Sequence, residues 1–444
     1  MRSGKWGFSE KYYQNSLNTL NTSLSSIPAY QKWKPYDPGP EYDVDTRFQS
    51  LPVLYKKQIR ENFPEGLIPP GRDVNQALEN GEISLAHTSG SSDISATNIW
   101  NQQWWDASER GSWKLNSFAH KIATGTHHEA ILANPLNVGI SSDNGYLSMD
   151  ERRLSRFLFL NEKTDPSQWT DKHMDRMIEE LEIFRPVVLE ANPSFLARLS
   201  RYAIKHDKKV YQPGLIVFTY EYPTRFHYRQ ISQVFNSPTA SSYGSTETGY
   251  VFMQCEEGKF HQNTDFCRVD IQPLKREYGD SETGRIIITT FNNPWYYMLR
   301  FDIRDLARID SSGKCACGRN SGLILSAIEG RVISLTLTCD GKPVTLRTLD
   351  DAMGVLTDID EYRLDQIDST RYILTLVSQN PAKEKLAADA KDILHTVYGE
   401  KAEISVKYAE ALSPEDSGKY SIARAVFPVN VEDFLDEDYL VRVS

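Results

Sequence analysis

Between residues 129 and 220 the sequence alternates short apolar stretches, rich in β-branched residues, with longer stretches of helical periodicity. The apolar stretches are EAILANPL, RFLFL, RPVVLEA and GLIVFTY, and the helical ones are DKHMDRMIEELEIF and SFLARLSRYAIKH. Such alternation of short strands with helical segments is typical of α/β layering. The sequence therefore predicts an α/β fold, with a large multilayer N-terminal domain built on mixed sheets.

The pattern changes after IEGR at residues 328 to 331. VISLTLTCDGKPVTL predicts two strands around a Gly turn, DEYRLDQIDSTRYILTLVS a hairpin, AKEKLAADAKDILHTVYG an amphipathic helix, and KAEISVKYA a strand. A chain of 444 residues also exceeds the size at which one hydrophobic core usually stops growing. We therefore expect two domains, residues 1 to 330 and a small α+β domain at 331 to 444.

Three further segments have their own predictions. Residues 1 to about 45 are polar and aromatic and end in a Pro-rich stretch, which indicates a lead-in segment wrapped over the body. RFQSLPVLYKKQIRENF predicts a short helix, and SATNIWNQQWW predicts another one.

Charge and cysteine content exclude several classes of protein. The formal net charge of −10 disfavours a nucleic-acid-binding protein. No apolar run approaches the roughly 20 residues of a membrane helix, and the first 16 residues lack the apolar core of a secretory signal, so we expect a cytoplasmic protein without a membrane partner. Five cysteines, an odd number, indicate reduced thiols or metal ligands instead of a disulfide framework.

A hydroxyl-rich loop, SLAHTSGSSDIS, occupies residues 84 to 95. Hydroxyls and one glycine that permits close backbone approach suit the binding of phosphate oxygens, and they are Thr88, Ser89, Gly90, Ser91 and Ser92. The loop lacks the Gly-Lys-Ser/Thr ending of the commonest nucleotide loop. Taken alone, it fits a surface turn better than a ligand site.

A second candidate is SSYGSTETG at residues 241 to 249. Tyr243 offers a flat ring, Gly244 a tight turn, Thr246 a hydroxyl, and Glu247 a carboxylate able to hold magnesium beside phosphates. A polar turn at the end of a strand is the alternative.

Two more stretches each offer one charged group. In YYMLRFDIRDLARI, Asp305 has the chemistry to accept both hydroxyls of a ribose, or to form an ion pair with Arg300 or Arg304. In LSPEDSGKYSIAR, Lys419 follows a glycine in a loop, where a lone lysine is ordinarily a solvated surface charge.

The order of these four stretches, with IEGR between the last two, resembles the adenylate-forming acyl-activating superfamily, and within it the phenylacetate–CoA ligase branch. The resemblance extends from RFQSLPVLYKKQIR at residues 47 to 60 through Arg424. FRPVVLEANPSFLARLSRYA also matches that branch, and CACGR at residues 315 to 319 matches its Cys-x-Cys-Gly-Arg element.

The resemblance implies an AMP-forming acid–thiol ligase that needs ATP and Mg²⁺ and transfers an acyl group, aryl or related, to CoA. The loop from Thr88 to Ser92 would hold the ATP phosphates, Tyr243 would stack on adenine, and Asp305 would bind ribose. Gly244 and Ser245 would also bind ATP or AMP. Thr246 and Glu247 would bind the phosphate and its magnesium ion. Arg331 would reach the nucleotide, Lys419 would bridge the carboxylate and the α-phosphate, and Glu221 in TYEYP would lie near adenine.

The resemblance further implies that the C-terminal domain is mobile, and a homodimer is a common arrangement in that branch.

The cysteines raise a separate possibility. Cys255, His261, Cys315 and Cys317 make an acceptable tetrahedral zinc site of structural type, and similar positions occur in part of the family. The alternative is a set of reduced thiols without metal, since Cys267 and Cys339 are present as well.

The chain also departs from the branch. Asp93, Ile94 and Ser95 replace the Gly-x-Pro continuation of the loop, and we expect Asp93 to point outward or to cap the following helix. Asp302 replaces an arginine, Val332, Ile333 and Ser334 replace an acidic hinge, and TCDGKPVTL replaces Arg-Gly-Val-Asn-Val-Phe-Pro. These changes fall on the second half-reaction, so an amine or a carrier-protein thiol stays open as the acceptor beside CoA, and a non-catalytic nucleotide-binding relative is a third reading. The sequence does not identify the acid.

Overall fold

The computed structural model describes residues 6 to 87, 96 to 122, 126 to 138, 140 to 142, 145 to 279, 282 to 415 and 418 to 437. The α-helices are α1 (Glu10–Ser26), α2 (Pro28–Gln31), α3 (Val44–Gln49), α4 (Lys56–Asn62), α5 (Val74–Glu79), α6 (Gln102–Trp113), α7 (Ser117–His120), α8 (Asp171–Phe184), α9 (Pro193–Lys205), α10 (Arg225–Ser232), α11 (Leu346–Met353) and α12 (Lys383–Tyr398).

The strands are β1 (Ser84–His87), β2 (Thr97–Trp100), β3 (Glu129–Leu132), β4 (Arg153–Leu154), β5 (Phe157–Phe159), β6 (Val188–Ala191), β7 (Leu215–Phe218), β8 (Thr239–Ser245), β9 (Gly249–Gln254), β10 (Phe260–Gln262), β11 (Cys267–Pro273), β12 (Thr283–Thr290), β13 (Phe301–Ile309), β14 (Ile324–Arg331), β15 (Thr336–Leu337), β16 (Pro343–Val344), β17 (Glu361–Gln366), β18 (Arg371–Val377), β19 (Glu403–Tyr408) and β20 (Ala423–Ala425). Short 3-10 helices lie at Lys34–Tyr36, Pro135–Val138, Pro166–Gln168, Val332–Ser334 and Val431–Phe434.

The chain divides into two compact units. The first comprises Met1–His120, Ser242–Glu329 and Val431–Ser444, and the second comprises Lys121–Ser241 and Gly330–Asn430. One limit of the units lies between Glu329 and Gly330. The division into domains 1 to 330 and 331 to 444 stays a prediction.

The first unit contains an antiparallel sheet. Its strand order is β11, β12, β13, β14, β10, β9 and the second half of β8, and β1 pairs separately with β2. One apolar cluster on this sheet includes Val251, Ile271 and Ile288. A second cluster joins the N-terminal helices to the segment before β13 through residues such as Tyr30, Phe48 and Leu299.

The described residues of the second unit form two larger sheets and the two-stranded sheet β15–β16. The first half of β8 continues through β7, β6, β3 and β5 in parallel, and β4 closes the edge antiparallel. Helices α8 and α9 cover one face, where Leu189, Phe195 and Ile216 are fully buried. The C-terminal part forms a four-stranded sheet in the order β19, β18, β17, β20 with α11 and α12 against it.

The structure confirms the α/β fold class, the helices at DKHMDRMIEELEIF and SFLARLSRYAIKH, and the C-terminal elements expected from the sequence. It adds α11 and β20, which the sequence analysis did not predict. None of the helices among the described residues has both the length and the apolar character needed to cross a membrane.

Two local predictions need correction, and one further helix was not predicted. The lead-in segment contains the 17-residue helix α1, whose buried face includes Ser16, Thr19 and Ser23, so polar residues hid its periodicity. The single helix expected in RFQSLPVLYKKQIRENF is two, α3 and α4. The helix expected in SATNIWNQQWW is wrong over residues 97 to 100, which form β2, and α6 begins after the cap Asn101.

Candidate active site

The turn between β8 and β9 is built on two glycines that no other residue could replace without a shift of the backbone or of α6. A Cβ at Gly244 would lie 2.0 Å from the carbonyl oxygen of Gly249. Gly249 itself has a φ of +66°, and a Cβ there would lie 2.9 Å from both Trp104 and Ser108. This close packing fixes the turn that carries Thr246 and the buried Glu247.

The residues expected to bind adenine and ribose contact each other. The hydroxyl of Tyr243, on β8, donates a hydrogen bond of 2.8 Å to Asp305 Oδ2, on β13. Both side chains are half-buried, and the Tyr243 ring also packs at 6.1 Å from Phe252. A flat aromatic surface next to a carboxylate acceptor suits a base with its sugar hydroxyls.

Glu247 lies beside a lysine that the sequence analysis left without a role. The side chain of Glu247 is 4% exposed, and its Oε1 lies 3.4 Å from Lys56 Nζ. No hydrogen bond reaches that oxygen from the described residues. A buried carboxylate oxygen held only by an opposite charge fits the hard-oxygen chemistry that Mg²⁺ prefers. Lys56 is the first residue of α4. It lies in LYKKQIR, part of a stretch on which the family resemblance rests, and that stretch is the sequence feature that could have identified it.

In the second unit, polar side chains follow the carboxyl ends of three parallel strands. Asn134 follows β3, Ser194 follows β6 at the start of α9, and Glu221 follows β7. The N-terminus of α9 is fixed by Asn192, whose side chain accepts the backbone N–H groups of Ser194 and Phe195. In parallel α/β sheets this edge is where ligands bind.

The segment with Lys419 lies at this same edge. Glu221 Oε1 accepts the backbone N–H of Tyr420 at 2.8 Å, and its Oε2 accepts the Ser194 hydroxyl at 2.7 Å. Burial raises the pKa of Glu221, and the hydrogen bonds and the positive charge of Lys419 oppose that rise only in part. The structure thus brings Glu221 and Lys419 together. Arg331, also in the second unit, is exposed at the end of β14.

The predicted phosphate loop, Thr88 through Ser92, and Asp93 lie outside the described residues. The strands on either side of it, β1 and β2, are antiparallel partners with His87 opposite Thr97.

The four predicted zinc ligands form one cluster in the first unit. One ligand atom from each of Cys255, His261, Cys315 and Cys317 lies within 4.8 Å of the other three. Cys317 Sγ is 3.3 Å from His261 Nε2, and Cys255 Sγ is 3.7 Å from Cys315 Sγ. Burial lowers the pKa of His261 to about 4, which keeps the imidazole neutral, as a ligand must be. Three sulfurs and one imidazole are a donor set that fits zinc.

Comparisons with known proteins give a structural match. Neither models of protein families nor curated proteins match the sequence. Among solved structures, 2-hydroxyisobutyryl-CoA ligase in the postadenylation state with its acyl adenylate matches with a TM-score of 0.68 and 13% identity, over 94% of this chain and 88% of that one.

The same ligase in an open conformation gives a TM-score of 0.58, with 13% identity over 94% of this chain and 91% of that one. In the thioesterification state it gives 0.55, with 13% identity over 96% and 93%. At this identity the likeness establishes the fold alone.

Proposed function

We propose that this chain, which has the fold of the adenylate-forming acyl-CoA ligases, uses ATP to adenylate a carboxylic acid and then transfers the acyl group to CoA as a thioester. The observation that carries the proposal is the hydrogen bond from Tyr243 to Asp305. The two residues are 62 positions apart and are assigned to adenine and ribose by separate motifs, yet their side chains are hydrogen-bonded to each other.

In the first half-reaction a carboxylate oxygen of the acid attacks the α-phosphorus of ATP, and the bond to pyrophosphate breaks. Two anions must approach each other, so a positive charge at the reacting oxygens lowers the barrier. Lys419 supplies that charge, and the hydrogen bond from the adjacent N–H to Glu221 holds its backbone in place. Tyr243 and Asp305 orient the nucleoside.

Glu247 is the residue that would hold Mg²⁺, because its oxygen is buried and lacks a hydrogen bond from the described residues. When bound, Mg²⁺ neutralises phosphate charge. Lys56 balances the Glu247 charge in the structure as it stands.

In the second half-reaction the CoA sulfur attacks the acyl carbonyl and AMP leaves. The assignment of CoA as acceptor rests on the shared fold and on the resemblance. An aryl or related small acid is the substrate class that the phenylacetate branch suggests.

The test uses pyrophosphate release from ATP with a panel of aryl, fatty and amino acids. We expect Lys419→Ala to reduce acid-dependent release at least 100-fold, since it removes the charge at the reacting oxygens. Lys401→Ala is the matched control, because Lys401 is an exposed lysine of the same C-terminal part, and it should leave release unchanged. Equal release by the Lys419→Ala variant and the unmodified protein would refute the proposed role. Products formed with CoA, amines or carrier proteins then identify the acceptor.

The cysteine cluster is proposed to hold a structural zinc ion. Metal analysis of chelator-washed protein should find one zinc per chain, and Cys317→Ser should lose it while Cys339→Ser keeps it, because Cys339 is not part of the cluster. A metal-free protein after mild chelation, with unchanged stability, would refute the site.

A further inference from the structure

The peptide bond between Lys419 and Tyr420 is held by one carboxylate. Glu221 accepts the N–H of Tyr420 with one oxygen and the Ser194 hydroxyl with the other, so the two bonds fix both the position and the orientation of the acceptor. Glu221 is half-buried where it follows β7. The amide that it fixes belongs to the residue directly after Lys419.

The residues on both sides of Lys419 also contact residues that follow strands of the parallel sheet. A Cβ on Gly418, whose φ is +74°, would lie 1.5 Å from Asn134 Nδ2, so the glycine backbone packs directly on that side chain. Asn134 cannot easily turn away, because its Oδ1 accepts the N–H of Leu136 at 3.0 Å. On the other side, the Tyr420 ring meets Phe195 edge-on at 6.4 Å. These contacts therefore give residues 418 to 420 a defined position.

The surrounding contacts include ion pairs and a hydrogen bond to a backbone oxygen. Glu361, on β17, is paired with Arg198 and Arg201 of α9. Arg229 donates to the backbone oxygen of Leu356 at 2.6 Å. Tyr420 lines a small cavity here, and its hydroxyl has no hydrogen-bond partner among the described residues. Charged and polar groups therefore surround the Lys419 segment beside the apolar contact of Tyr420 with Phe195.

We propose that Glu221 is a positioning residue that holds residues 418 to 420 in place by accepting the Tyr420 N–H, a contact called the latch below. The latch thereby sets how often Lys419 is available for adenylation. This rests on the proposed function only for the role of Lys419. The latch is made by hydrogen bonding to a backbone N–H, so it depends on an acceptor oxygen at position 221 and not on the negative charge.

The first test needs no substrate. Trypsin cleaves after lysine, and the bond between Lys419 and Tyr420 is the one whose N–H Glu221 holds. We expect Glu221→Ala to raise the initial rate of cleavage at that bond about tenfold, the combined effect of losing two ordinary hydrogen bonds, to the Tyr420 N–H and to the Ser194 hydroxyl. Glu221→Gln keeps an acceptor for Tyr420 and an amide that can donate to Ser194, so its cleavage rate should stay within about threefold of the unmodified protein.

Cleavage after Lys208 and Lys209, both exposed after α9, reports whether the fold is intact and should not change. Cleavage of the Glu221→Ala variant at the rate of the unmodified protein overturns the latch. Cleavage of Glu221→Gln as fast as that of Glu221→Ala overturns its hydrogen-bond basis.

The second test separates the latch from the proposed reaction. With an acid that supports pyrophosphate exchange, Glu221→Ala should lower the rate of exchange about tenfold, and Glu221→Gln should restore it. Thioester formation from supplied acyl adenylate should change less than threefold, which a general loss of folding would not produce. If no acid exchanges while the trypsin result holds, the proposed function fails and the latch stands. An equal loss in both half-reactions overturns the positioning role.

Discussion

Lys56 is the residue whose removal should reveal how Glu247 is stabilised. Lys56 Nζ lies 3.4 Å from Glu247 Oε1, and the side chains are 18% and 4% exposed. Lys56→Met keeps the length of the side chain and removes the charge. The buried carboxylate is then left without the one cation that the described residues place at this oxygen.

The size of the effect follows from the distance. At an effective dielectric constant of about 20, two unit charges at this separation attract by about 5 kcal/mol before desolvation is counted. Removing one partner of a buried pair typically costs about 3–5 kcal/mol, because the remaining charge stays buried. Since Lys56 is partly exposed, water can replace some of its effect, and we expect a loss of about 3 kcal/mol in the free energy of unfolding.

The neighbouring residue provides the control. Lys57 pairs with Glu61 at 3.8 Å, with side chains that are 79% and 56% exposed. Because exposed pairs contribute little, Lys57→Met should cost less than about 0.5 kcal/mol.

The assay is urea unfolding followed by tryptophan fluorescence, with Glu247→Gln added in a double-mutant cycle. The cycle should give a coupling energy between Lys56 and Glu247 of about 2 kcal/mol or more. Equal stabilities of the Lys56→Met and Lys57→Met variants, or a coupling energy near zero, would refute the reasoning.

Two further predictions concern stability. Burial raises the pKa of Asp350 to about 6. The stabilisation that protonation of Asp350 provides is therefore present below the unfolded pKa near 4 and is lost as pH rises through about 6. Asp350→Asn should stabilise the protein by about 2 kcal/mol at pH 8 relative to pH 4. Unchanged pH dependence of urea unfolding in that variant would contradict this. Gly244→Ala should cost about 3 kcal/mol or more, because its Cβ would lie 2.0 Å from a backbone oxygen. Gly258→Ala should cost about 1 kcal/mol, because the φ of Gly258 is +78° but its Cβ would meet only Gln254 Nε2, at 4.0 Å. Similar midpoints of the two variants in thermal unfolding would contradict the difference.

The fold was predictable where periodicity and burial agree. Helices α8 and α9 have clear apolar stripes, and the structure has them where the sequence places them. Strand β7, after α9, consists of four buried apolar residues. Helix α1 was not predictable in this way, because its buried face carries serine and threonine that receive no weight as core residues. Strand β2 was missed because its sequence, TNIW, runs without a turn signal into the helical QQWW.

The sequence predicted which residues belong to the candidate site, but not which of them contact each other. The motifs identified Tyr243, Asp305 and Lys419, but nothing in their spacing indicates that the Tyr243 hydroxyl reaches Asp305. The partners Lys56 and Ser194 lie in stretches that match the branch, but only the folded chain shows them next to Glu247 and Glu221. The cysteine cluster lies between these cases. Its ligand types were visible in the sequence, whereas their approach to within 4.8 Å was not.

The central claim is that a carboxylate oxygen of the substrate attacks the α-phosphorus of ATP, and isotope transfer tests it most directly. An acid that supports pyrophosphate release, labelled with ¹⁸O in both carboxylate oxygens, is incubated with ATP, magnesium, CoA and the protein, and the AMP is analysed by mass spectrometry. Because the bridging oxygen of the acyl adenylate leaves with AMP, the account predicts one ¹⁸O in each AMP formed. Unlabelled AMP, or label recovered in inorganic phosphate together with ADP, would contradict it.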